Sequence, residues 1–187
     1  MHLKRLSFSL FLSSALLILP SQSLSAWAAP TFRAVVPTSE KASQSWKYTF
    51  VKPPTKWQGK DFNDSKWKTG PGGFGTKGTP RIGKLGTVWK TPDIWLRRTF
   101  NPGTLTPAQI AKMGVRDYHD ETVEVYINGA LAYFSGGYTT GYERRPLSLA
   151  ARRALLSNAQ NVIAVHCHQT AGGQYIDVGL EQVTSGK

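Results

Sequence analysis

Two histidines, His166 and His168, stand one residue apart at the end of the apolar run Asn161-Val-Ile-Ala-Val-His-Cys167, a spacing that puts both imidazoles on one face of a β-strand. Ile163, Val165 and Cys167 then take the opposite, core-facing side. The same alternation in Val123-Glu-Val-Tyr-Ile-Asn128 groups Val123, Val125 and Ile127 and turns Glu124, Tyr126 and Asn128 the other way. If the two strands share a sheet, one polar face carries Glu124, Tyr126, His166 and His168. Such a face can exchange hydrogen bonds with a hydroxyl-rich ligand, although solvation is the default for the outer side of an antiparallel sheet. With His119-Asp120-Glu121 it would also offer the nitrogen and oxygen donors that suit zinc. That triplet falls where a turn is expected before the Val123 strand, and no metal site is assigned.

Sugars present flat C–H faces that pack on Trp and Tyr and hydroxyls that bond planar polar groups. Trp89, before Thr91-Pro-Asp93, and Tyr138 and Tyr142 in Gly136-Gly-Tyr-Thr-Thr-Gly-Tyr142 are loop aromatics flanked by such groups. Gln174 lies in a further polar loop, Gln169 to Asp177. The candidate carbohydrate-binding set is therefore Trp89, Asp93, Tyr126, Tyr138, Tyr142, His166, His168 and Gln174, while Trp46, Trp57, Trp67 and Trp95 are assigned to the core. Nucleophilic catalysis finds no support. There is no Gly-x-Ser-x-Gly, Cys167 is expected to be buried, and the adjacent Asp120 and Glu121 cannot flank one glycosidic bond as two opposed groups must. The expectation is a binding protein with no catalytic residues.

The elements that must hold these side chains read as short strands between turn signals: Trp46–Phe50, Ile94–Phe100, Thr122–Ile127, Ala130–Phe134, Asn161–Cys167 and Tyr175–Leu180. That pattern predicts an all-β, antiparallel β-sandwich. Asn128-Gly129 between two apolar stretches is the signature of a type I′ hairpin. Two short helices are expected, Pro107–Met113 capped by Thr106 and Leu149–Leu156 capped by Ser148. Seven glycines between Gly70 and Gly86 predict a long loop.

Residues 1–28 have Lys4 and Arg5, an apolar run over 6–19 and a small-residue end at Ala26-Trp-Ala28, in the order of a secretory signal peptide; the run is too short to span a bilayer. Residues 29–45, rich in Ser, Thr, Pro and Ala, read as an irregular lead-in, and 46–187 as the domain. Of 187 residues, 23 are Lys or Arg and 11 Asp or Glu, a formal charge of +12 that favours an anionic glycan as partner. Export argues against nucleic acid. One cysteine excludes an internal disulfide framework.

Four ordered motifs, Asp61-Phe-Asn-Asp-Ser-Lys-Trp67, Ile94-Trp-Leu-Arg-Arg-Thr-Phe100, Val123-Glu-Val-Tyr-Ile-Asn-Gly129 and Asn161-Val-Ile-Ala-Val165, resemble the galactose-binding-like jelly-roll domain that serves as the sugar-binding domain of family-two glycoside hydrolases, the beta-galactosidase and beta-glucuronidase type. The resemblance runs from about Trp46 to Val183 and departs at Asn63 and Ala159, where the family has Asp and Gly. It implies a jelly roll that binds carbohydrate or buttresses a catalytic domain, with the catalytic carboxylates in a separate barrel that alone needs roughly 250 residues. A glycoside hydrolase is therefore a second candidate partner. The resemblance also allows a structural calcium ion, with Asp120, Glu121 and Asp177 as candidate ligands, and implies no other cofactor.

Overall fold

The computed structural model describes residues 29–185, so the segment read as a signal peptide lies outside the described residues. Two sheets make up the fold, their strands numbered in chain order. One comprises β1 (Thr31–Val36), β4 (Phe74–Gly75), β5 (Thr87–Val88), β7 (Met113–Asp120), β10 (Glu143–Pro146) and β12 (Tyr175–Ser185), in the order β10-β7-β12-β4-β5 with β1 also paired to β12. The other holds β2 (Ser45–Thr49), β3 (Lys68–Pro71), β6 (Asp93–Phe100), β8 (Thr122–Ile127), β9 (Ala130–Ser135) and β11 (Asn161–His168), ordered β3-β2-β6-β11-β8-β9. The described pairings are antiparallel apart from β4 with β5.

The predicted alternation sets the core. Val123, Val125 and Ile127 of β8 and Ile163, Val165 and Cys167 of β11 are wholly buried, as are Val115 of β7 and Ile176, Val178 and Leu180 of β12. At Asn128 and Gly129 φ is 50° and 90°, the left-handed pair that a type I′ turn between β8 and β9 requires. Helix α1 (Pro107–Ala111) starts at Thr106 with a capping box completed by Gln109. It is shorter than expected, because Met113 already belongs to β7. Helix α2 (Leu149–Ala154) is capped by Ser148 as the sequence indicates.

Two segments read as irregular are ordered by distant partners. Thr31–Val36, within the expected lead-in, pairs with β12 from Val36 opposite Leu180 to Thr31 opposite Ser185. The glycine-rich stretch holds β3's last two residues and β4. Its glycines bring backbones together: a Cβ on Gly86 would lie 2.1 Å from the carbonyl oxygen of Gly72.

The four sequence motifs work in pairs. Arg97 of the second, nearly inaccessible on the outer side of β6, donates to Asp64 of the first at 2.9 Å and to the carbonyls of Trp57, Gly59 (3.0 Å) and Phe62 (3.4 Å). These bonds lay the 57–67 segment over one end of the sheet. There Trp57 and Trp67, expected in the core, form a half-buried aromatic layer with ring centroids 6.3 Å apart, whereas Trp46 and Trp95 are buried. Asn128 of the third motif donates to Asn161 of the fourth at 2.7 Å and accepts from the Val162 amide at 2.8 Å. One pair anchors the covering segment, and the other locks the hairpin to the central strand.

Asp177 of β12 adds a pH-dependent element. Its carboxylate accepts from the Ser39 amide at 2.7 Å and the Tyr142 hydroxyl at 2.6 Å, while its other oxygen has no partner. Burial pushes its pKa up to about 6 despite those bonds. A carboxyl that holds its proton more tightly when folded adds stability at low pH, fully present below the unfolded value near 4 and lost as pH rises through 6. The shift corresponds to about 3 kcal/mol. Melting temperature is expected to fall from pH 5 to pH 7.5 more steeply in the wild type than in Asp177→Asn; parallel profiles would refute this.

Candidate functional site

The structure brings the two histidines and two carboxylates together on the outer side of the second sheet. In register, His166 sits opposite Glu124 on β8 and Trp95 on β6, and His168 opposite Thr122 and Asp93. His166 places Nε2 2.8 Å from Asp93 Oδ1 and Nδ1 3.2 Å from Glu124 Oε2, and His168 Nδ1 also lies 2.8 Å from Asp93 Oδ1. Burial raises the Asp93 pKa, but the hydrogen bonds and charges of the two histidines outweigh it and hold the carboxyl below its ordinary range. Trp95 stacks on His166 with centroids 4.9 Å apart and planes 7° from parallel. Tyr126 shares the face but packs edge-on against Trp57, and burial together with Glu124 pushes its phenol up to about 12. The polar groups of this face bond mainly one another.

A different region is open. At one end of the sandwich a cleft of about 570 Å³ lies between the last residues of β7 and three loops. Tyr118, Asp120 and Glu121 form its floor. Tyr138, Thr139 and Thr140 form one wall, Pro80 and Arg81 another, and Ala171, Gly172 and Gly173 the third. Each loop is fixed by hydrogen bonds. Tyr138 bridges to Asp120, and the Thr139 amide donates to the His119 carbonyl at 2.9 Å. The Tyr118 hydroxyl donates to the Pro80 carbonyl at 2.7 Å. Thr79 Oγ1 donates to the Gln174 carbonyl at 3.1 Å and accepts from its amide at 2.9 Å, joining the second and third walls. The tight approach of Gly173 leaves room for the Asp120 carboxylate, since a Cβ there would be 2.4 Å from Oδ2. Burial and the neighbouring Glu121 raise the Asp120 pKa, partly opposed by His119.

Tyr138 is 68% exposed on the rim of this cleft. By contrast, a concavity of about 470 Å³ beside β1 contains Glu40, Arg116 and Glu181, whose charges satisfy each other. The lining of the loop-edge cleft thus combines an exposed tyrosine with one arginine, two carboxylates and threonine.

Several expected contributors lie elsewhere. Trp89, read as a loop aromatic open to ligand, is completely buried: its amide donates to Gly75 and its indole N–H to Thr91 Oγ1 at 3.1 Å and the Asp93 carbonyl at 3.2 Å. Gln174 is also buried, donating to the Thr91 carbonyl at 2.7 Å. Tyr142 is half-buried over Asp177, with the Arg116 guanidinium 5.0 Å above its ring. His119 faces the interior from the first sheet, bonded to Asp117, and does not join His166 and His168. Among the described residues, no group of three or more His, Cys, Asp or Glu is arranged to hold a metal ion. Asp177 does not line the cleft that holds Asp120 and Glu121. Conversely, Tyr118 and Arg81 belong to the cleft without being candidates by sequence. Their only sequence signal is proximity, to Asp120-Glu121 for one and to the glycine-rich stretch for the other.

No protein-family model matches the chain, and no characterised protein matches it by sequence. Solved structures do. A calcium-binding mutant of Bacteroides uniformis beta-glucuronidase 2 superposes with a TM-score of 0.52 and 18% identity, over 82% of this chain and 18% of that one. The same enzyme covalently bound to cyclophellitol-6-carboxylate aziridine gives 0.52 and 20%, with the same coverage. A glycosyl hydrolase family 2 member from Bacteroides cellulosilyticus gives 0.53 and 13%, over 81% of this chain and 21% of that one. The fold is therefore that of a β-sandwich domain found within family-two glycoside hydrolases. The chain spans about a fifth of the length of those proteins.

Proposed function

We propose that this chain is an exported, non-catalytic carbohydrate-binding module whose glycan occupies the loop-edge cleft. The observation that carries this reading is that the exposed Tyr138 lines one cleft together with Asp120, Glu121, Arg81 and Thr140. Tyr138 would stack on a sugar face while the floor and walls bond its hydroxyls. Likeness of fold to domains of glycan-cleaving enzymes supports the ligand class, and coverage of only 18–21% of those chains supports a part separate from the catalytic machinery. The one thiol, Cys167, is buried, and burial raises its pKa well above that of a free cysteine, which removes it as a nucleophile.

Tyr138→Ala is expected to weaken retention in polysaccharide affinity gels by about 1–3 kcal/mol while leaving the melting temperature nearly unchanged. Normal retention of this variant, with wild-type retention abolished by salt alone, would reduce the interaction to generic attraction by the +12 charge. Reducing sugar released by the wild type and lost on changing a carboxylate would favour an enzyme. A second reading, an accessory domain docked to a glycoside hydrolase, draws support from the exposed Leu131 and Phe134 on the edge strand β9. Absence of glycan binding together with capture of a co-exported hydrolase would favour it.

A further inference from the structure

The charge of the cleft is opposite to that of the chain. Cations outnumber carboxylates by 23 to 11, so an acidic side chain has ample opportunity to find a partner. Among the described residues four carboxylates pair with arginine, Glu40 and Glu181 with Arg116, Asp64 with Arg97 and Glu143 with Arg145, and three more bond a histidine, Asp117 with His119 and Asp93 and Glu124 with His166. Asp177 is held by Ser39 and Tyr142. That leaves Asp61, Asp120 and Glu121: Asp61 lies in a concavity lined also by Lys56 and Lys60, two cations to one carboxylate, whereas Asp120 and Glu121 share a cavity in which carboxylates are in excess. Glu121 accepts only from the Thr170 hydroxyl, and Asp120 sits against Gly173 with no cationic contact. The one guanidinium among the cleft's lining residues, that of Arg81, leaves two carboxylates against a single cation.

From this we infer that the cleft takes a sugar unit bearing a free ammonium group, a 2-amino-2-deoxyhexose within a glycan. The ammonium would lie between Asp120 and Glu121 while Tyr138 stacks on the ring, a placement in which the tyrosine face also attracts the positive charge. A uronate would instead bring its carboxylate against Asp120 and Glu121. The many lysines elsewhere on the surface do not decide the matter, because charges more than about 8 Å away are largely screened at physiological ionic strength. Bulk charge governs approach to the envelope or matrix, and the local pair governs which residue of the polymer is held.

This inference rests on the reading of the cleft as a glycan site, and one titration series separates their failures. Oligomers of glucosamine, N-acetylglucosamine, glucose and glucuronate of equal length are titrated into the protein by calorimetry at neutral pH with a chelator present. The glucosamine oligomer is expected to bind about tenfold more tightly than its N-acetylated and neutral counterparts. Asp120→Asn with Glu121→Gln should erase that preference, so that the glucosamine, N-acetylglucosamine and glucose oligomers bind with like affinities, while Arg145→Ala, away from the cleft, should keep it. Equal binding of the amine and N-acetyl forms, preference for glucuronate, or binding only after calcium replaces the chelator would overturn the inference and leave the glycan site standing. No binding by any oligomer would overturn both.

Discussion

Arg97→Ala is expected to destabilise the domain by about 3 kcal/mol, because it removes a buried guanidinium bonded to a partly exposed carboxylate and to three backbone carbonyls. Arg97 is 2% exposed, and its guanidinium is the common anchor for Asp64 and for three carbonyls of the 57–62 segment. The ring of Phe62 lies 5.2 Å below it. Truncation would release that segment from β6 and open the layer of Trp57 and Trp67. Lysine at 97 keeps the charge but not the planar fork, so Arg97→Lys should fall between wild type and alanine. Arg145→Ala, which removes an exposed pair with Glu143, should cost about 1 kcal/mol or less. Urea denaturation of the three variants measures the series. Equal losses for Arg97→Ala and Arg145→Ala would mean that the first two motifs are not coupled through this residue.

Val125→Asp should have a larger effect still and leave the chain unfolded at room temperature. Val125 has no solvent access and lies between Val165 on β11 and Tyr133 on β9. A carboxylate there has no partner, and the several kcal/mol it costs is comparable with the whole stability of a domain this size, about 5–15 kcal/mol. Glu124→Ala, one position along on the outer face, loses a 3.2 Å contact with His166 at a partly exposed site and should cost about 1 kcal/mol or less. Circular dichroism of the two variants distinguishes the faces. A folded Val125→Asp would contradict the register in which β8 faces the core.

What the sequence discloses here depends on the range of the interaction. Period-two alternation and the Asn128-Gly129 turn are local, so the β8–β9 hairpin and the outward facing of Glu124 and of His166 are legible from residue order alone, whereas their meeting depends on β8 pairing with β11, 42 positions apart at that contact. The same holds for the caps at Thr106 and Ser148. β1 is not legible, since its first four residues are exposed without alternation and its order comes from β12, about 150 positions away. Trp89 is misleading for a related reason. It follows a stretch of glycines that reads as loop, yet those glycines let β4 and β5 pair closely and draw the indole into the core. The cleft is least legible of all. It gathers residues near 80, 118–121, 138–140 and 171–173, which no spacing rule connects. Tyr138 alone among its residues stands out as a sugar contact by sequence, because a loop tyrosine between glycines has few ways to be buried.

A glycan held at the end of the sandwich would perturb different residues from one held on its outer sheet face. Titrating an isotopically labelled sample with a bound oligosaccharide and following backbone amide shifts separates the two most directly. The largest shifts are expected to cluster at Arg81, Asp120, Tyr138 and Gly173 and to be lost in Tyr138→Ala. Shifts centred instead on Asp93, Glu124, His166 and His168, or no shifts with any glycan, would contradict a glycan site at that end.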